Sequence, residues 1–346
     1  MKAGGRTGSR EPALGAGREF GAIRGWIGSG GPPGPFVLQG PGDDAAVLEG
    51  GWVVSTDLTV EDVHFRRAWM GWREVGWRAA IAGLSDLAAM AAEPVGILAS
   101  VASPLPVGED LDALQAGLRE AAESVGVGVL GGDLTSSPGP LVVDVTALGR
   151  TDAPVLRIGA RPGDELWVTG HLGAAAAAVR RWEEGGAPPA TFRAAFARPR
   201  ARVQEARWLQ DRAEGAEGRP GLRAMLDLSD GLAGDAGHLA AGNRCAVIVE
   251  AGRVPMHPEV VEHLGEETAR TLALHGGEDY ELCFAASPGA LDSTPFVDAF
   301  GAPLTRVGRF ESGTGVWLEE GESRRRLDRG GFDHFAEVAV EGDTSP

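Results

Sequence analysis

The sequence predicts a mixed α/β protein of two domains, and three observations predict it. Its 346 residues exceed what one ordinary hydrophobic core serves. Helical and strand periodicities intermingle along both halves instead of separating into blocks. A turn-rich segment from Thr151 to Gly163, ending in Arg161-Pro162-Gly163-Asp164, interrupts the pattern, which then restarts. These features divide the chain into a flexible tail at 1–18, a first domain at 19–150, a second at 151–338 and a tail at 339–346.

Glu19 to Ile27 fits a first helix, stopped by the Gly/Pro run Gly28 to Pro35. Phe36 to Leu38 and Ala45 to Leu48 read as short strands around a Gly-Pro-Gly-Asp-Asp turn. Trp52 to Ser55 reads as a strand terminating at Thr56-Asp57. From Trp72 to Ala92, Val75, Ala79, Ala82, Leu87 and Met90 recur at helical spacing until Glu93-Pro94 stops the helix. Ser85 and Asp86 lie inside that apolar helix, where an unpaired carboxylate is expensive, so the pair requires partners. Leu111 to Val125 is a second amphipathic helix. Val127 to Leu130 is a strand running into Gly131-Gly132-Asp133, and Leu141 to Leu148 is a strand ending at Gly149-Arg150.

In the second half, Glu165 to Val168 predicts a strand and Leu172 to Glu184 a helix, broken by Gly185 to Pro189. One long helix is predicted from Thr191 to Arg212. Met225 to Leu228 follows as a strand, Gly231 to Ala241 as a helix, and Ala246 to Glu250, Glu281 to Ala285 and Val316 to Leu318 as strands.

A formal net charge of −17 disfavours nucleic acid and anionic membrane as partners and favours a ligand that brings cations. No stretch approaches the roughly 20 apolar residues that span a bilayer. The Gly/Arg/Ala-rich segment Met1 to Arg18 lacks the apolar core of a secretory signal. Cys245 and Cys283 have no metal-binding or redox spacing and lie in apolar runs, as buried free thiols of a reducing compartment do. The expected location is cytoplasmic.

Five acidic motifs carry the chemistry: Gly42-Asp43-Asp44, Ser55-Thr56-Asp57, Ser85-Asp86, Gly131-Gly132-Asp133 and Asp227-Leu228-Ser229-Asp230-Gly231. The chain has a single lysine, Lys2, so a Walker A loop and the protein-kinase lysine are both excluded. Two carboxylates about 4 Å apart repel by roughly 4 kcal/mol at an effective dielectric near 20. If the motifs converge, they require neutralising cations. Magnesium suits oxygen ligands and bridges carboxylates to substrate phosphates, while glycine turns let backbone N–H groups approach phosphate oxygens. A single Gly-Asp turn is also an ordinary turn.

Together with Val63-His64-Phe65, Leu84 to Met90, Val168-Thr169-Gly170, Gly276-Gly277-Glu278-Asp279-Tyr280-Glu281-Leu282 and the terminal Gly331-Phe332-Asp333-His334-Phe335, these motifs stand in an order that closely resembles the thiamine-monophosphate kinase family. The resemblance implies the two-domain aminoimidazole ribonucleotide synthetase-like fold, a homodimer formed through the N-terminal domain, and an ATP site in a cleft shared by the subunits. It implies Mg²⁺-dependent transfer of the ATP γ-phosphoryl to thiamine monophosphate; because Mg²⁺ neutralises and aligns two anionic groups, the expected transfer is direct and in line, without a phosphoenzyme. Residue by residue, it implies Mg²⁺ ligation by Asp44, Ser55, Thr56, Asp57, Asp86, Asp133, Asp227 and Asp230. ATP contacts would come from Gly132, Asp133, Arg150 and Ser229, and thiamine monophosphate contacts from His64, Glu278 and Phe332. Some relatives carry an aromatic residue in the second N-terminal helix that stacks on adenine, whereas Leu111 to Leu118 contains none. Other ATP-dependent members of the superfamily, of the amidine or selenophosphate synthetase type, and a non-catalytic nucleotide-binding regulator are the alternatives.

Overall fold

The computed structural model describes residues 18–28, 34–104, 106–213 and 221–327. Phe332, the terminal motif around it and most of both predicted tails lie outside them. The first half holds α1 (Arg18–Gly28), β1 (Val37–Gln39), β2 (Ala46–Leu48), β3 (Trp52–Val60), α2 (Trp72–Ala89), β4 (Glu93–Ser103), α3 (Glu109–Ser124), β5 (Val129–Ser136) and β6 (Val142–Arg150). Its six strands form one sheet in the order β1-β2-β3-β6-β4-β5, antiparallel except for the β4/β5 pair.

The second half holds β7 (Glu165–Thr169), α4 (Ala174–Glu183), α5 (Ala190–Ala197), α6 (Val203–Arg212), β8 (Leu222–Asp227), α7 (Leu232–Asn243) and β9 (Cys245–Glu250). It continues through α8 (Pro258–Leu264), α9 (Glu266–His275), β10 (Leu282–Ala286), α10 (Thr294–Phe300), β11 (Leu304–Ser312), β12 (Gly315–Glu320) and β13 (Ser323–Arg326). Its seven strands run in the order β13-β12-β9-β11-β7-β10-β8, with only β12/β9 parallel.

The helix α2 lies between the two halves. Val75, Ile81 and Leu84 join Leu114 and Leu118 of α3 and Val143, Val145 and Ala147 of β6 in one core. Ala88 and the following Ala91 join Trp167, Met225, Leu282 and Phe284 in another. Burial on all sides explains why α2 reads as apolar almost throughout. Its contact with α3 depends on two glycines: a Cβ on Gly76 would collide with the Leu114 carbonyl, and one on Gly117 with that of Arg73. The opposite face of the first sheet is open, and every residue of β5 is exposed.

Several elements differ from expectation for identifiable reasons. The predicted long helix is two helices, because Pro199 lacks the N–H and disfavours a helical Arg198 before it. The strand β3 continues through Thr56-Asp57 to Val60, and β5 runs through Gly131-Gly132-Asp133, so these acidic residues sit within strands and not at their ends. The helix α2 does stop before Glu93-Pro94, but Glu93 then opens β4, whose proline is accommodated at a register irregularity against β6. The elements β4, α8, α9, α10, β11 and β13 are not among those the sequence predicts. Both cysteines are free, buried and in strands, and burial pushes the Cys283 thiol up.

Candidate active site

Adjacent residues on a helix point about 100° apart, and α2 uses this to reach both halves from one turn. Ser85 Oγ donates to Asp227 Oδ2 at the end of β8, at 2.6 Å. Asp86 turns toward the first sheet and accepts from Ser55 Oγ on β3. The Gly42-Asp43-Asp44 turn brings in a third carboxylate. Oxygens of Asp44, Asp86 and Asp227 lie within 4.8 Å of one another. Three of the sequence-predicted metal ligands thus converge, and Ser55 joins them through Asp86.

Positive charge is supplied here by arginine. Arg157, from the linker after β6, grips Asp44 with two parallel bonds, Nε to Oδ2 at 2.9 Å and Nη2 to Oδ1 at 2.7 Å. Its backbone N–H reaches both oxygens of Asp43, at 3.1 and 3.2 Å. One guanidinium does not balance the cluster. Burial, then repulsion from Asp44, pushes Asp227 up to about 7. Burial, then Asp227, Asp57 and Asp44, raises Asp86 well above the carboxylate range. Burial and then Asp44 take Asp43 to about 7. Clustered hard oxygen donors with uncompensated negative charge are what a magnesium ion fits.

Asp57 shares the inner side of β3 with Ser55, two residues away. Burial and then Glu278 raise it to about 6, and Arg78 opposes the shift. Arg78 of α2 forms an ion pair with Glu278, so the Gly276–Glu281 loop also docks on α2. This loop lies against the Asp227–Gly231 loop: Glu278 N–H donates to the Ser229 carbonyl and Tyr280 N–H to that of Leu228, both at 2.9 Å. A Cβ on Gly277 would strike the Ser229 carbonyl, which is why glycine is needed there.

The remaining predicted residues are spread more widely. Thr56 faces the open side of the sheet, donating to Asp144 Oδ1 at 2.8 Å. Asp133 is exposed on β5, in register with Ser100, which itself pairs with Asp144. Gly132 lies so close to β4 that a Cβ would clash with the Ala99 carbonyl. Arg150 lies at the far end of β6, 5.3 Å over the Trp52 ring, and donates to the Gly50 carbonyl at 3.0 Å. It borders a cavity of about 420 Å³ that Leu38, Val47, Thr151 and Leu156 also line. Ser229 is exposed. Asp230 belongs to a second group with Asp235 and His238, whose ligand atoms also lie within 4.8 Å of one another. His64 Nδ1 accepts the Val60 N–H at 3.0 Å, which fixes a neutral ring's proton on Nε2. Phe332 is outside the described residues.

Sequence reasoning missed Arg78, Arg157, Asp144, Asp235 and His238. One signal was available: Arg78 is a charged residue at a core-facing position of α2, seven residues before Ser85.

The chain is similar to known proteins along most of its length. The AIR synthase related protein N-terminal domain family matches residues 42–151, and its C-terminal domain family matches 161–316. The thiamine-monophosphate kinase of Rhodopirellula baltica is 32% identical over 321 residues, covering 87% of this chain and 92% of that protein. That of Methanopyrus kandleri is 36% identical over 289 residues, covering 82% and 86%. Among solved structures, thiamine-monophosphate kinase from Stenotrophomonas maltophilia superposes with a TM-score of 0.71 at 33% identity, covering 88% of this chain and 97% of that one. AaThiL complexed with AMPPCP and TMP superposes at 0.77 with 28% identity, covering 91% and 96%.

Proposed function

The chain belongs to the thiamine-monophosphate kinase family of AIR synthase related proteins, and we infer from that membership and its site that it transfers the γ-phosphoryl group of ATP to thiamine monophosphate. The products are thiamine diphosphate and ADP. The observation that carries this reading is the convergence of Asp44, Asp86 and Asp227 from three separated segments. A structure of the same fold, AaThiL, is complexed with AMPPCP and TMP, which supports the reading.

The proposed Mg²⁺ ligands are Asp44, Ser55, Thr56, Asp57, Asp86, Asp133, Asp227 and Asp230. Bound there, Mg²⁺ would neutralise the charge between donor and acceptor phosphates and hold their oxygens in line. The protein's own part is positional. The serines engage one oxygen each of Asp86 and Asp227, and Arg157 fixes Asp44, so the carboxylates are held before substrate arrives. The acceptor phosphate is already ionised at neutral pH, so no general base is needed. Gly132, Asp133, Arg150 and Ser229 are proposed to contact ATP. His64, Glu278 and Phe332 are proposed to contact thiamine monophosphate, with the Glu278 carboxylate facing its cationic end.

We further propose a cytoplasmic homodimer, with domains at 19–150 and 151–338. Leu58, Leu98, Leu130 and Leu134 expose apolar surface on the first sheet, where Thr56 and Asp133 also lie, which supports an interface that adds to the nucleotide cleft. Among the described residues, no helix is long and apolar enough to cross a membrane.

The test is incubation of the purified chain with ATP, Mg²⁺ and thiamine monophosphate. Thiamine diphosphate and ADP in equal amounts support the reading, and ATP binding without product refutes it. Labelled protein recovered from γ-labelled ATP without acceptor would refute direct transfer.

A further inference from the structure

We propose that Arg78 is a positioning residue for Glu278, fixing that carboxylate where the cationic end of thiamine monophosphate binds; this rests on the functional reading above. Arg78 is 2% exposed, and a guanidinium that deep is tolerated only when paired. Its pairing is unusually complete. It forms the ion pair with Glu278, donates to the Phe196 carbonyl at 2.9 Å, and lies 4.0 Å over the Phe196 ring and 5.8 Å from that of Tyr280. A cation set among two aromatic faces and a carbonyl has little freedom to swing, so the carboxylate it holds is fixed as well.

The loop that carries Glu278 needs such an anchor. Glu278 stands at φ +75° and Tyr280 at +51°, left-handed conformations that side-chain-bearing residues avoid. Strain of this kind persists where surrounding contacts over-determine it. Those contacts are the bonds to the Leu228 and Ser229 carbonyls and the Arg78 ion pair.

The position of Arg78 on α2 gives the arrangement its function. Residues seven apart lie on one helix face, about 10 Å along the axis. Arg78 and Ser85 therefore present two fixed points on one rigid rod. Ser85 holds the aspartate end of the site through Asp227, and Arg78 holds the Glu278 end. A substrate with a phosphate at one end and a cationic ring system at the other spans two such points.

The test compares wild type, Arg78→Met, Arg78→Lys, Glu278→Gln and the double variant Arg78→Met/Glu278→Gln, by steady-state kinetics and by calorimetric titration with thiamine monophosphate. We expect Arg78→Met and Glu278→Gln each to raise the KM and Kd for thiamine monophosphate about tenfold, with the KM for ATP changed less than about twofold. The double variant should be no worse than either single change, since the two residues act as one unit. Arg78→Lys keeps the charge but loses the forked geometry, so it should raise the same KM by a smaller factor, and only when Glu278 is present. Should Arg78→Met fail to fold, Arg78→Lys with and without Glu278→Gln carries the test. Additive effects, an equal loss for both substrates, or an unmoved Arg78→Lys in a wild type that makes thiamine diphosphate would overturn this inference alone. A wild type that neither binds nor phosphorylates thiamine monophosphate would overturn the functional reading, and this inference with it.

Discussion

Ser85 Oγ donates to Asp227 Oδ2 at 2.6 Å, and this one bond ties the centre of α2 in the first half to the last residue of β8 in the second. It is buried, and it orients an aspartate whose charge is already disfavoured by its surroundings. Ser85→Ala removes the donor and leaves the carboxylate desolvated. The expected loss is about 1–3 kcal/mol of stability, read by urea unfolding, together with a lower kcat. Unchanged unfolding midpoint and rate would show that the bond contributes nothing.

Asp57 gives a prediction of opposite sign for stability. Its folded value of about 6 exceeds the usual carboxylate value near 4, from burial first and Glu278 second. Between those values the folded chain keeps a proton that the unfolded chain releases, so stability falls across that window and the loss is complete above it. An amide does not titrate. Asp57→Asn should therefore melt above wild type at pH 8 in metal-free buffer, by on the order of 2 kcal/mol, with the gap closing toward pH 4. The same variant should be inactive in transfer.

Magnesium should reverse the strain it is proposed to neutralise. With Asp57 near 6, Asp227 near 7 and burial and neighbouring carboxylates raising Asp86 as well, metal binding must displace protons at acidic pH. The Mg²⁺-induced rise in Tm is expected to be larger at pH 8 than at pH 5.5, with proton release on binding at the lower pH. Equal shifts at both would remove these groups from the metal site.

Arg157 links the Asp43-Asp44 turn to the segment between the two sheets. Removing one partner of a buried pair costs about 3–5 kcal/mol. Arg157→Met should lower the unfolding midpoint accordingly, whereas Arg157→Met combined with Asp44→Asn should recover part of the loss. Circular dichroism melts of the single and double variants decide between these outcomes.

Much of the first half is legible in the sequence, its three helices above all, whereas β4 is hidden behind Glu93-Pro94, a pair that reads as a stop. The helix α2 was recognisable from Val75 to Met90, and Ser85-Asp86 inside it correctly required partners. What could not be read was the identity of those partners, Asp227 and Ser55, which lie 142 and 31 residues away. Strand length was misjudged at Thr56-Asp57 and Asp133 for a related reason. Polar residues end a strand when solvent surrounds them, but here one lies over a buried cluster and the others on the open side of the sheet. The long helix after Thr191 failed on Pro199, a local signal that apolar periodicity outweighed. The single lysine excludes lysine-based phosphate sites, but the arginines that bring positive charge to the site, Arg157 and Arg78, do so from positions that composition cannot reveal.

Whether the aspartates joined across α2 are the site of phosphoryl transfer is decided by single-turnover transfer from γ-labelled ATP. Wild type and Asp86→Asn are compared with saturating Mg²⁺ and thiamine monophosphate, after matching melts show that both are folded. Wild type should deliver the label to thiamine diphosphate, and Asp86→Asn should be slower by about 10³-fold or more. Transfer by Asp86→Asn at a rate close to wild type would contradict that assignment.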